Sequence, residues 1–498
     1  MNITMYDQAG AEGVPDSDCL RDCSRCRPLK EDKKYAHLSG DVLVNGLFPV
    51  HGAGDTTFVC GDINKEKGIQ TLEAFLYAIR RINQDANLLP SVSLGTLALR
   101  HHIDIHISGR VIDHKVFPPS QVLDTCYSPI QAGQDVSNLQ SRVVTYGVPD
   151  VDVYDIIGYV GALSSDVTVD VADVLTSLGI PQISWGSTST LLSNADDYPF
   201  FLRTVPSDDL QGEAIAALVD YFDWNYVAIV SSDTVYGRSG ITAFRQAADN
   251  YDICVSFSHV VPRDATDEQL EAIITALREN TRARAVVSFV TDSDARALLQ
   301  AATRLNARGE LIWIGSDSWG NQVSVVDGLD NAARGSLTIT LENNPVAGFE
   351  DYFKALTPDS NSDNPWFQEF WEDHFGCNLP GGTKYADNCS PSHSLTQGFQ
   401  QASFVPQVMN AVYAFAHGLD VLLREHCSGA QGVCSQLTAN QNFKQLLLEK
   451  IKEQRFTGAD GQPVQFNDDG SVTMGFTIWN YVRVRPGVYE YKDAMIET

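Results

Sequence analysis

Residues 285–315, AVVSFVTDSDARALLQAATRLNARGELIWIG, decide the fold: apolar strand at 285–290, helix at 292–305, apolar strand at 311–315. Strand–helix–strand units build parallel sheets, because a crossover helix returns the chain to start its next strand in the same direction. The alternation extends upstream through helix 267–279, strand 253–260, helix 240–249, strand 226–230, helix 207–222 and strand 181–185. Helix 167–178, strand 154–160, strand 92–99, helix 67–86 and strand 41–50 complete it towards the N-terminus. In 67–86, Ile69, Leu72, Phe75, Leu76 and Ile79 keep helical spacing. Ser207 and Asp208 stand as caps before helix 207–222. A chain of 498 residues exceeds one compact core. The expectation is an α/β protein with two lobes, each a doubly wound, mainly parallel sheet.

After residue 340 the texture changes. NPWFQEFWEDHF at 364–375 is aromatic-rich, 405–423 reads as a long amphipathic helix, and 470–484 as a terminal hairpin. Asn410, His417 and Asp420 make 405–423 a core helix, not a membrane span. A net charge of −28 argues against nucleic acid as a partner, because a polyanion needs a basic face. No apolar run reaches the roughly eighteen residues a membrane helix needs, and MNITMYDQAG lacks the features of a signal peptide.

The ten cysteines point to an oxidising compartment. Cys60 and Cys126 flank the first strand–helix–strand unit, while Cys377/Cys389 and Cys427/Cys434 each close a short polar loop of the kind common in secreted chains. Such cysteines without an export signal predict a piece of a longer chain. Cys19, Cys23 and Cys26 include a lone C-x-x-C with no second ligand pair at zinc spacing, so they read as part of an unstructured leader and no metal site is expected. Residues 100–121, RHHIDIHISGRVIDHKVFPPSQ, interrupt a strand. His101, His102, Asp104 and His106 there have metal-ligand chemistry; a translated intron is the favoured reading.

Ser165, Thr188, Asp208, Tyr236 and Asp317 fall where strands end or helices open. In open α/β sheets ligands bind outside the carboxyl ends of strands, beside helix N-termini. Hydroxyls, an aromatic face and two carboxylates there suit one small zwitterion. No Gly-x-Ser-x-Gly elbow or phosphate-cradling glycine loop occurs, so neither an enzyme nor a cofactor is expected, and no residue is assigned a catalytic role.

Several stretches together resemble the ligand-binding ectodomain of metabotropic glutamate receptors, within the class C G-protein-coupled receptors. They are GLFPVH at 46–51, CGDIN at 60–64, GIQ at 68–70, LDTC at 123–126, IPQIS at 180–184, TVPSD at 204–208, GSDSW at 315–319, NPWF at 364–367 and NAVYAFAHG at 410–418. The resemblance implies a two-lobed, periplasmic-binding-protein-like clamshell with three crossovers. Lobe 1 would hold 35–205 plus 341–452, lobe 2 would hold 206–340 plus 453–490, and 1–34 would be a disordered leader. It implies an α-amino acid as ligand, with Ser165, Gly186 and Thr188 on the first lobe and Asp208, Tyr236 and Asp317 around the ammonium. A carboxylate fits the open N–H groups of the turn at Ser165; carboxylates and a tyrosine face attract an ammonium.

Two departures bear on the ligand. A basic residue normally follows the Gly-Ile-Gln motif and here is Thr71; a lysine before the Asn-Ala-Val-Tyr motif is here Phe404. A glutamate side chain without a cationic partner is costly to bury, so a neutral or apolar side chain is expected to lie towards Thr71 and Phe404. The resemblance also implies disulfides Cys60–Cys126, Cys377–Cys389 and Cys427–Cys434, and leaves Cys254 unpaired. By the same resemblance the interchain loop is shortened and cysteine-free at 141–155, so any homodimer is expected to be non-covalent, through first-lobe residues such as Val174, Leu175 and Leu178; simple core burial is the rival reading of these three. The family's cysteine-rich module and seven-helix domain, through which a G protein would be reached, are expected to lie outside the sequence given. The expected setting is the outer side of the plasma membrane within a full-length receptor, with a soluble amino-acid-binding or decoy protein as the alternative.

Overall fold

The computed structural model describes residues 40–54, 60–96, 122–146, 156–342, 344–396, 398–427 and 432–494. The leader 1–34 with Cys19, Cys23 and Cys26, the insert 100–121 with its histidines, and residues 147–155 of the shortened loop lie outside them.

Two large sheets form, one per lobe, beside two small two-stranded ones among the described residues. The first runs in the order Leu94–Gly95, Val42–Phe48, Ile156–Val160, Gln182–Ser184, Phe201–Arg203, with Val122–Asp124 also on Val42–Phe48, and every pairing is parallel. The second runs Cys254–Val261, Tyr226–Ser232, Ala285–Phe289, Ile312–Gly315, Leu337–Leu341, all parallel, then adds the antiparallel hairpin Phe476–Arg485 and Val488–Asp493. The expected α/β, mainly parallel architecture is what the chain adopts.

Two boundaries move. The hairpin expected at 470–484 starts later, because Phe456, Val464, Phe466 and Val472 pack into the first lobe's core with Phe415 and Ile451. Residues 456–472 thus contribute to the first lobe's core. Helix 67–86 begins as a π-helical turn, Lys65–Gln70, before the α-helix Thr71–Gln84. Asn64 accepts from the Lys67 amide at 3.0 Å, and Gly68 lets the turn press on the preceding strand: a Cβ there would sit 2.5 Å from the Pro49 carbonyl oxygen. A π turn widens the helix locally and often marks a functional site.

The helix Val405–His426 is the first lobe's central core element, with Val405, Val408, Met409, Val412 and Phe415 fully buried. Its polar residues are used internally: Asn410 accepts from the Ala459 amide at 2.7 Å and His417 stacks on Phe456.

The aromatic segment after 364 is held by a buried carboxylate. Glu73 accepts from Asn361 and Asn364 at 2.6 and 2.7 Å and from the Tyr352 hydroxyl at 2.6 Å. Burial pushes its carboxyl up despite these bonds. Glu73→Ala leaves two buried amides and the partly buried Tyr352 hydroxyl without their acceptor and is expected to lower unfolding free energy by about 1–3 kcal/mol, measured by chemical denaturation, with Glu73→Gln milder.

His51 joins three elements. Nδ1 meets Asp124 and Nε2 meets Glu369 at 3.2 Å. Burial alone would lower its pKa; the two carboxylates overcome that and raise it to about 9. Because the folded value exceeds the unfolded one, this stabilisation is complete below about pH 6.5 and is lost as pH rises through about 9. Thermal melts from pH 6 to 10 should show His51→Gln losing less stability than the parent over that range.

The disulfides Cys60–Cys126, Cys377–Cys389 and Cys427–Cys434 form as expected. Cys254 is exposed and unpaired among the described residues. Of the three residues considered for a dimer face, Leu175 is core, Val174 is partly buried against it, and Leu178 is exposed. No helix among the described residues is long and apolar enough to cross a membrane.

Candidate functional site

The carboxyl ends of the two sheets face one another across a cleft. A cavity of about 580 Å³ lies there, lined by Ser165, Gly186, Tyr236, Asp317 and Phe404 among the expected residues, and by Lys67, Tyr127, Asp166 and Asp292. A second space of about 450 Å³ shares Lys67, Asp317 and Phe404 with it and continues towards Glu66, Asn321, Gln322 and Ser403.

Ser165 opens the helix Ser165–Leu178, so the first-turn N–H groups point into the cleft. Its hydroxyl accepts from the Ser189 amide at 3.4 Å. Gly186 closes on Leu163, whose methyl group would sit 2.4 Å from a Cβ at 186. Phe404 is pinned edge-on against buried Trp185, with centroids 5.7 Å apart, so a rigid apolar wall bounds the cavity.

On the second lobe, Asp317 follows the strand Ile312–Gly315. It accepts from the Tyr236 hydroxyl at 2.6 Å and from Gln211 at 3.1 Å, while its own amide donates to Gln211 at 3.0 Å. The same Gln211 nitrogen donates to Asp208 at 3.1 Å. Buried Asp208 and partly buried Asp317 are thus held by one carboxamide. The cations whose charge reaches them, Arg203 and Lys67, form their ion pairs elsewhere, with Asp469 and Asp292. Burial and then the neighbouring Asp317 push Asp208 up to about 8; burial also raises Asp317. Burial and Asp317 keep the Tyr236 phenol protonated and donating.

Thr188 and Asp208 sit behind the cavity lining, fully buried and joined through Asp208 N–H to the Thr188 carbonyl at 2.7 Å. The Thr188 hydroxyl also reaches the Asp208 carboxyl and lowers it against its burial. Thr71 stands apart from both cavities. Its hydroxyl donates to the Lys67 and Gly68 carbonyls at 2.7 and 3.1 Å and is wholly buried, so the side-chain wall is Phe404 without Thr71.

The sequence reading passed over Gln211, Lys67 and Asp292. Gln211 lies one helical turn after Asp208, a spacing that places both on one face. Lys67 immediately precedes the Gly-Ile-Gln motif. Asp292 follows a strand end, as Asp317 does.

A sequence profile described as the receptor family ligand binding region matches residues 70–484. The chain belongs to that family. It is 36% identical over 477 residues to metabotropic glutamate receptor 4 of Mus musculus, covering 93% of this chain and 50% of the relative. Metabotropic glutamate receptor 8 of Homo sapiens is 34% identical over 469 residues, 90% of this chain and 49% of the relative. The chain thus spans about half the length of the curated relatives it matches. The metabotropic-glutamate-receptor-like, class C ligand-binding region expected from the motifs is shown, as is its two-lobed fold.

Proposed function

We propose that this chain is the extracellular clamshell of a metabotropic-glutamate-receptor-like G-protein-coupled receptor, closing on an α-amino acid between its lobes. One observation carries this reading: Asp317, with Tyr236 at its side and Asp208 behind, faces the cavity as a carboxylate that forms no ion pair among the described residues. A ligand ammonium supplies the missing charge. The helix N-terminus at Ser165, on the other lobe, suits the α-carboxylate. Because the two ends of one ligand then engage different lobes, binding favours closure, and closure is the signal.

The ligand's side chain passes Phe404 into the second space and carries no carboxylate, since neither Thr71 nor Phe404 offers the cation the resemblance led one to expect. The relatives are named as receptors, which fits binding without catalysis. A thermal-shift screen of the twenty amino acids against the purified domain tests the reading. A rise in melting temperature with at least one neutral amino acid, and none with micromolar glutamate, is expected. No response to any of the twenty would overturn it.

A further inference from the structure

Lys67 is the one cation among the described residues lining the two cavities, and it is already engaged. Its side chain is only 14% exposed, and its ammonium lies 2.6 Å from the Asp292 carboxylate. Lys67 belongs to the first lobe and Asp292 to the second, so the pair spans the cleft. Asp292 is also held in place: it opens the helix Asp292–Arg304, and its other oxygen accepts from the Ser293 amide at 2.9 Å. A carboxylate at a helix N-terminus is favourably placed. Against the burial that raises it, Lys67 keeps Asp292 below the usual carboxylate range.

We propose that Asp292 determines ligand specificity by occupying Lys67 from the opposite lobe, where an acidic ligand side chain would otherwise bind. The proposal rests on the amino-acid reading above. A ligand carboxylate reaching Lys67 has to displace Asp292, which then stands unpaired beside both the incoming anion and Asp317. An uncharged side chain meets no such conflict and leaves the interlobe pair intact. Exclusion here comes from a repulsive group as well as from missing attraction.

Glutamine and glutamate, of nearly equal shape and differing in charge, are the probes. Calorimetry on the purified domain should show glutamine preferred over glutamate in the parent. Asp292→Asn and Asp292→Ser should each shift the ratio towards glutamate by about tenfold or more. Adding Lys67→Met to Asp292→Asn should cancel the gain, which a general loosening of the cleft would not do. A ratio unmoved in both Asp292 variants, or a parent that binds glutamate as tightly as glutamine, overturns the assignment. A domain that answers to neutral amino acids but shows an unmoved ratio fails only the assignment; one that answers to none of the twenty fails the underlying reading.

Discussion

Asp317→Asn abolishes amino-acid binding while the domain stays folded. The substitution keeps an oxygen for the Tyr236 hydroxyl and for Gln211, so the network of 2.6 and 3.1 Å bonds retains its shape. What it removes is the charge facing the cavity. Truncating one partner of a buried, hydrogen-bonded charge pair typically costs about 2–5 kcal/mol, roughly thirty- to several-thousand-fold in affinity. Asp317→Ala should lose at least as much. Stability should move the other way. In the empty site burial raises both Asp208 and Asp317, so removing the one carboxyl takes away an unfavourable desolvated charge and leaves the free domain at least as stable. Paired calorimetry and melts separate these effects. A variant that melts early and binds weakly would show that Asp317 is structural; one that binds normally would end the ammonium assignment.

That opposition between binding and stability is the physical signature of a site held ready for its ligand. Much of it was legible in the sequence. Strand ends are fixed by the alternation of apolar runs and helical spacing, so Ser165, Asp317 and Tyr236 could be placed at the cleft without coordinates. The joining of Asp208 to Asp317 could not, because Gln211 reads as an ordinary helical residue until the strand Ile312–Gly315 brings Asp317 to it. Thr71 shows a different limit. Its position in the motif was identified, but a short hydroxyl side chain can satisfy itself on the carbonyl one turn back. It does so on Lys67, whose own long side chain reaches into the cleft instead. The late hairpin has a similar origin: the short apolar positions Phe456, Val464, Phe466 and Val472 carry no local mark of the lobe they cover, and the first lobe's core takes them.

Affinity for an α-amino acid should rise steeply with pH between about 6 and 8 and then level. In the free domain Asp208 is pushed up to about 8, by burial first, then Asp317, with the Thr188 hydroxyl and Arg203 opposing and Asp209 adding. Since Asp208 and Asp317 share Gln211, the value belongs to the pair and not to one carboxyl. An ammonium beside Asp317 favours the doubly ionised pair, so binding at neutral pH expels a proton. If about 1% of the pair is fully ionised at pH 6 and about half at pH 8, affinity changes by roughly tenfold per unit over the lower part of that range. The free domain behaves oppositely. A carboxyl whose folded value lies above its unfolded value stabilises the fold fully below about pH 4, and that contribution disappears as pH rises through about 8. Ligand-induced thermal shifts should therefore widen with pH while the ligand-free melting temperature falls. Calorimetry in two buffers of different ionisation enthalpy at pH 7 should report close to one proton released. An affinity flat from pH 6 to 8 would mean that the pair keeps its proton when the ligand binds, leaving Asp317 alone to meet the ammonium.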